Sequence, residues 1–386
     1  MNHHLAWTAE AIAVTISTLS VAYYVLCLWS AASFLHSPKV ATKNSHPTPG
    51  VSILKPLKGT DPEMYESFRS HCRMDYAEHE IIFGVSDADD PAVELVGRLR
   101  QEFPQRSIRV VICSKKLGTN TKVSNLSQML AEARYEYLIV NDSDIRVEPD
   151  YLRRVTAPLS DPAVGLVTCL YRGIPTSTLG SRLESLGIAT DFSPGVLVAR
   201  QLEGIRFGLG STLAFRRRDL QAIGGFESLA DYLADDYQLG RRISDLGLKV
   251  ELSDVIVETF LPRYMFGEFC SHQLRWARTI RDSRFGGYMG MVVTFGIPWA
   301  LLALLFARGS AWAWGLLAVT TIMRLAVAVF VGKTVLKDHY VIRSLALIPF
   351  RDLIALLVWI ASFVGHTVKW RGEAFRLKNG KLEVIT

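Results

Sequence analysis

Cysteine is sparse in this sequence, and a basic leader is missing. The five cysteines among 386 residues, Cys27, Cys72, Cys113, Cys169 and Cys270, are odd in number, widely scattered and free of CxxC pairs. That excludes a disulfide framework and a cysteine-type zinc site, and it suits a reducing compartment. No Lys or Arg precedes the first apolar stretch, Ala11 to Leu35. A secretory leader has a basic start and an apolar run of about 7 to 15 residues, whereas a bilayer span needs roughly 18 to 20, so this stretch is expected to stay as an anchor. Charge of one sign is also scarce. The net charge is +6, and its basic residues gather in Arg263 to Arg284 and in the tail Lys369 to Lys381. Both groups adjoin apolar stretches, which suits lipid headgroups or diphosphates, and no nucleic acid is expected as a partner. Internal repeats and low-complexity segments are absent.

Three further long apolar stretches are present: Gly290 to Phe306, Ala311 to Gly332 and Ser344 to Val368. Between the first and second stretches, Val51 to Pro262 has the mixed composition of a globular domain. The expected division is a membrane anchor over 1–36, a globular domain over 37–262, an interfacial amphipathic helix over 263–287, membrane helices over 288–368 and a basic tail over 369–386. Lys39 and Lys43 follow the first stretch, so the positive-inside rule puts the globular domain in the cytosol. The last stretch carries Pro349, Arg351 and Asp352, and its uninterrupted part, Leu353 to Val364, is short of a full span. A re-entrant helix is the alternative there, with Arg351 and Asp352 paired to each other or lining a polar path.

Within the globular domain, short apolar runs alternate with amphipathic ones. Val51-Ser-Ile-Leu-Lys-Pro-Leu, Ile81 to Ser86, Ile108 to Cys113 and Tyr137 to Asn141 predict strands; Glu63 to His71, Pro91 to Phe103 and Lys122 to Ala133 predict helices. That alternation predicts an α/β fold with a Rossmann-like parallel sheet. Ligands of such sheets bind at the carboxyl ends of the strands, where Asp87, Asp89, Asp90, Asp142 and Asp144 fall.

Asp142-Ser143-Asp144 offers two carboxylates just past a strand, a form that can reach a hard divalent cation shared with substrate phosphates. It equally suits an Asp-rich turn. Asp235-Asp236 opens an apolar-periodic helix, where an acid either caps the helix or takes a proton from an acceptor hydroxyl. Asp236 is the candidate base and Asp235 the runner-up. Lys122 and Asn125 begin a helix after the loop at Gly118, a setting that favours a phosphate or is a solvated helix start. Lys55 and Lys58 follow the first strand, as phosphate neighbours or surface charges. Gly208-Leu-Gly-Ser-Thr permits close backbone approach to a ligand or forms a tight turn. Tyr264 to Phe285 alternates aromatic and aliphatic residues with Arg275, Arg278, Arg281 and Arg284, as in a helix lying in a membrane interface with its basic side towards headgroups.

Taken in order, Ile53-Leu-Lys-Pro-Leu-Lys-Gly, Ser86-Asp-Ala-Asp-Asp-Pro, Asn141-Asp-Ser-Asp-Ile-Arg-Val, Ala234-Asp-Asp-Tyr and His272-Gln-Leu-Arg-Trp resemble glycosyltransferase family 2 and its ceramide glucosyltransferase-like branch, family 21. The resemblance runs from about Val51 to Arg284. It implies a GT-A fold, a UDP-sugar donor, Mg2+ or Mn2+ as cofactor, a membrane lipid acceptor and inversion at the anomeric carbon. By motif it gives Asp87 or Asp90 to the nucleotide, and Asp142 and Asp144 to diphosphate and metal. It gives Asp236 the base role, and Arg275 and Trp276 the diphosphate and acceptor.

Two positions depart from the family pattern. His272 stands where Gln or Arg usually opens the five-residue motif, and Ser193-Pro194 stands where ceramide-using members carry His-Pro. The sequence is therefore closer to the bacterial hopanoid-biosynthesis glycosyltransferases of that branch. It implies an integral protein of the bacterial inner membrane with a cytoplasmic catalytic domain and a hopanoid polyol as acceptor, with ceramide as the alternative. A processive polysaccharide synthase and a non-enzymatic membrane scaffold are the remaining expectations.

Overall fold

The computed structural model describes residues 3–37, 48–370 and 373–385. Lys39, Lys43 and Arg371, which bear on the expected orientation, lie outside the described residues. The chain divides into two compact units. A globular unit comprises Pro38–Ile174, Glu203–Pro262 and Gly380–Thr386, and a helical unit comprises Met1–Ser37, Pro175–Leu202 and Arg263–Asn379. Residues 175–202 thus leave the stretch expected to be globular and join the helices.

The globular unit is built on an eight-stranded sheet: β1 (Val51–Pro56), β2 (His79–Val85), β3 (Ser107–Ile112), β4 (Tyr137–Val140), β5 (Ile145–Arg146), β6 (Val164–Ile174), β7 (Leu213–Arg216) and β8 (Lys249–Phe260). Their order is β3-β2-β1-β4-β7-β6-β8-β5. The first four are parallel, as the alternating pattern predicts. β1 and β2 are buried along their whole length, which is why they read as near-continuous apolar runs. Helices Met64–Cys72, Ala92–Glu102 and Thr121–Glu132 complete this half, the last capped by the Asn120 side chain, which accepts from the Val123 amide at 3.2 Å.

The second half of the sheet is mixed. β7 runs antiparallel to both β4 and β6, β6 and β8 are parallel, and β5 pairs antiparallel with β8. Two consequences position the acidic loop. Val140 pairs with Leu213, so Asn141 onward lies beside the residues preceding β7, Gly210 to Thr212. Ile145 pairs with Thr259, which sets Asp144 beside Thr259.

In the helical unit, three helices are long and apolar enough to cross a membrane: His4–His36, Ala311–Val335 and Tyr340–Ser362. A fourth candidate, Phe285–Thr294 with Gly296–Phe306, is bent by 56° at its break and forms either a broken span or a re-entrant loop. The interruption expected in the last stretch is therefore found one segment earlier, because Pro349 sits in the first turn of the helix Ile348–Ser362, where a missing amide costs nothing.

Small residues, Ala13, Ala31, Ala300, Ala303 and Ala313, are buried and let the helices approach closely. Polar side chains tie them together. Tyr24 donates its hydroxyl to the Thr294 carbonyl at 2.9 Å and accepts from the Gly296 amide at 3.1 Å. Arg351 and Asp352 do not pair with each other. Asp352 takes the guanidinium of the fully buried Arg324 at 2.7 Å, while Arg351 faces Asp191 at 3.4 Å. Adjacent residues on a helix point about 100° apart, so each finds a partner on a different neighbour.

The interfacial segment forms the helix Phe266–Ser283. Two of its arginines are turned to the protein. Arg278 donates to the carbonyls of Thr367 and Val364, and Arg281 to those of Ser362 and Gly365. They satisfy carbonyls at and just beyond the C-terminus of Ile348–Ser362, where a helix leaves acceptors unpaired and favours positive charge.

Candidate active site

The site begins beneath the acidic loop. Asn141, at the end of β4, is fully buried; its amide donates to the Ser211 carbonyl at 2.7 Å and to the Tyr151 hydroxyl at 2.9 Å. This locks the loop to the strand-order crossing between β4 and β7. Lys55, completely buried at the end of β1, donates from Nζ to the Asp142 carbonyl at 2.8 Å. Burial pushes its pKa down to about 7, with Asp144 and Asp142 pulling the other way. Lys55 is thus neither a phosphate neighbour nor a surface charge; it supports the loop from behind.

Above it, Asp142 is half exposed, and Asp144 accepts a hydrogen bond from the Thr259 hydroxyl. Burial and the charge of Asp142 raise the Asp144 carboxyl to about 6. Ser143 donates to Asp61, a carboxylate in the turn after β1 that sequence reasoning passed over. Asp-Pro in a Gly-containing turn carries little signal of its own.

The helix Asp235–Asp245 brings its first turn to the same place. Lys122 Nζ contacts Asp142 Oδ1 at 2.8 Å and Asp235 Oδ2 at 3.4 Å, bridging the two acidic segments. Burial works against the charge of Lys122, but Asp142, Asp235 and Asp236 outweigh it and raise its pKa. Asp236 accepts the Tyr237 amide at 2.7 Å through Oδ1. Its pKa is raised to about 6 by burial and then by Asp235, with Lys122 opposing.

Gly210 lies between the acids. A Cβ there would stand 3.0 Å from Asp142 Oδ2 and 3.2 Å from Asp236 Oδ2, so both oxygens face one small space that glycine leaves open. The Gly208-Leu-Gly-Ser-Thr stretch is therefore part of the site, a fact legible only once β7 is paired with β4.

The remaining candidates separate. Asp90 accepts the Gly59 amide at 2.8 Å and the Ala92 amide at 2.9 Å, fastening the turn after β1 and capping a helix. Asp87 is exposed and accepts only the Asp89 amide among the printed bonds, at 3.0 Å. Asn125 accepts the Ser86 hydroxyl at 3.0 Å, which makes it a buried link rather than a solvated helix start.

His272, Arg275 and Trp276 lie on Phe266–Ser283, in the helical unit. His272 stacks on Tyr264 at 5.3 Å and adjoins Trp276 at the same centroid distance. Its Nδ1 is 3.6 Å from Glu184.

Among the described residues no group of three or more His, Cys, Asp or Glu side chains forms a metal-binding cluster. The protein therefore offers the carboxylates of Asp142 and Asp144 from one loop. Two hard oxygen donors suit a dication that keeps waters and takes diphosphate oxygens, and the repulsion that raises the Asp144 pKa is what such a charge relieves. The residues present fit that group.

The family model of glycosyl transferase family 21 matches residues 12–383, nearly the whole chain. The chain belongs to glycosyl transferase family 21. Among curated family relatives, ceramide glucosyltransferase 1 of Caenorhabditis elegans is 28% identical over 206 residues, covering 53% of this chain and 44% of the relative. Ceramide glucosyltransferase 3 of the same organism is 27% identical over 231 residues, covering 57% and 50%. The match spans about half the length of these relatives or less. Among solved structures, the mannosyltransferase PcManGT from Pyrobaculum calidifontis, in complex with GDP-Man and Mn2+, superposes with a TM-score of 0.61 at 19% identity. It covers 92% of this chain and 99% of that one, which establishes the GT-A-like fold with its mixed sheet.

Proposed function

We propose that the chain transfers a hexose or N-acetylhexosamine from a UDP-sugar to the hydroxyl of a membrane lipid, with inversion. The observation that carries this reading is the pair of carboxylates, Asp142 and Asp236, facing the single space beside Gly210. One acid belongs to the donor side and the other is free to take a proton.

In this reading Asp87 holds the nucleotide. Asp142 and Asp144 would hold Mg2+ or Mn2+, which when bound neutralises the diphosphate and supports departure of UDP. Asp236 removes the proton of the acceptor hydroxyl as that oxygen attacks the anomeric carbon opposite the leaving group. A base whose pKa lies near 6 is ionised at neutral pH and still basic enough to accept a proton. Asp235 is the weaker candidate because Lys122 and Asn120 hold its carboxylate. Lys122 keeps Asp142 and Asp235 in register across the site. The roles of His272, Arg275 and Trp276 at the diphosphate and acceptor rest on the five-residue motif.

The names of the curated relatives support a ceramide-type acceptor, while Ser193-Pro194 supports a hopanoid polyol. The orientation with the globular unit in the cytoplasm of a bacterial cell rests on the distribution of Lys and Arg. Membranes containing the full chain, incubated with labelled UDP-glucose or UDP-N-acetylglucosamine, Mn2+ and either lipid, test both points. A labelled monoglycosyl lipid in mass spectra is expected. Absence of UDP release with every lipid would remove the enzymatic reading, and a polymeric product would replace it with a processive synthase.

A further inference from the structure

The helical unit contains a cavity of about 130 Å³, remote in sequence from the acidic loops. Its walls are apolar: Phe192, Trp276, Ile280, Phe295, Val358 and Trp359 line it. Four polar residues, Glu184, Asp191, Gln273 and Arg351, close one side.

Those four form a connected set. Arg351 Nη2 donates to Gln273 Oε1 at 2.9 Å, and Gln273 Nε2 donates to Glu184 Oε2 at 2.6 Å. Arg351 Nε reaches the Leu183 carbonyl at 3.3 Å. Asp191 gives Oδ1 to Arg324, which also holds Asp352. Two atoms are left over. Arg351 Nη1 and Asp191 Oδ2 are buried without a hydrogen bond, although Arg351 as a whole is only 6% exposed. A buried donor and a buried acceptor left unpaired each carry a desolvation cost, which a bound polar group removes.

Gly187 shows that the guanidinium position is specified. A Cβ there would stand 2.5 Å from Arg351 Nη2, so any side chain at 187 displaces the arginine.

The charge balance selects the ligand. Glu184, Asp191 and Asp352 oppose Arg324 and Arg351, an excess of one carboxylate that disfavours an anionic head. One donor and one acceptor side by side match a hydroxyl or an amide, which offers both. We propose that this cavity binds the uncharged hydroxyl- or amide-bearing head of a lipid, with the start of its chain against Trp276 and Trp359. The inference rests on the lipid-acceptor reading above and names the chemistry of the acceptor.

The test uses the full chain in detergent micelles and two photoactivatable lipids with the same acyl chain, an N-acylated amino diol and a phosphatidylglycerol. The uncharged probe is expected to label the peptides bearing Trp276 and Trp359 saturably, and the anionic probe is not. Asp191→Asn is expected to weaken labelling about tenfold through loss of a charged acceptor. Ala277→Phe and, from the opposite wall, Ala355→Phe are expected to abolish it by filling the cavity. In the transfer assay the same variants raise the KM for lipid while the KM for UDP-sugar stays. Equal saturable labelling by phosphatidylglycerol, or undiminished labelling in both Phe variants with unchanged melting temperature, overturns the proposal. Saturable labelling by the amino diol without any UDP release supports the cavity assignment and removes the enzymatic reading instead.

Discussion

Lys55 Nζ stands 2.8 Å from the carbonyl oxygen of Asp142, placing a wholly buried ammonium under the loop that carries Asp142 and Asp144. The contact ties the end of β1 to the residue that follows β4, so loop position depends on a side chain that no substrate can touch.

Lys55→Met keeps the length of the side chain and removes the donor. The expected result is a fall in kcat/KM of about tenfold or more, since hydrogen bonds from charged groups contribute roughly 1.5–3 kcal/mol and a shifted loop misplaces both carboxylates. Thermal melting alongside UDP-release kinetics checks it; unchanged kinetics would remove the supporting role.

Stability should vary with pH in two opposite windows. Asp144 and Asp236 have folded pKa values raised to about 6 from 3.8, so the folded state binds more protons between those values and stability falls as pH rises through them. Lys55 is lowered from 10.5 to about 7, so the unfolded state binds more protons there and stability rises from pH 7 upward. Melting temperatures of the metal-free protein are expected to pass through a minimum near neutrality, and Lys55→Met is expected to flatten the alkaline rise.

Asp236→Asn removes the proposed base while keeping the shape of the side chain. Transfer should drop by about a thousandfold or more, within the usual range for general-base catalysis, while UDP affinity stays within about twofold. In the unmodified protein the rate should fall as pH drops through about 6, the printed position of this carboxyl. Wild-type turnover by the Asn variant would sink the assignment.

Gly210→Ala tests the space between the acids. The added Cβ would approach Asp142 Oδ2 to 3.0 Å and Asp236 Oδ2 to 3.2 Å, and a displacement of that order costs about a hundredfold in rate. Melting temperature should change little, because the intrusion is into the site rather than the core. Full activity would show that neither acid works from this position.

Arg324→Leu in the helical unit leaves Asp352 and Asp191 buried opposite an apolar residue. Removal of one partner from a buried pair costs about 3–5 kcal/mol, which should appear as a large loss of folded yield in detergent. The double variant Arg324→Leu, Asp352→Leu is expected to recover part of it; recovery of none would place the stabilising role on Asp191 alone.

The sequence by itself carried the parallel half of the sheet, because strands buried on both faces are visible as uninterrupted apolar runs. It also carried the apolar spans and the acidic residues at strand ends, since hydropathy and motif order are local properties. The tertiary structure decided which residues meet. Only the antiparallel pairing of β7 on β4 sets Gly210 between Asp142 and Asp236, and only the pairing of β5 on β8 puts Thr259 against Asp144. Lys55 appeared as a charge after a strand, and its burial turned it into a support. Arg351 and Asp352 appeared as neighbours, and helix geometry gave them to Asp191 and Arg324. Charge and apolar periodicity act within a few residues along the chain, whereas partner choice depends on which distant segments share a dry interior, and that is settled by packing alone.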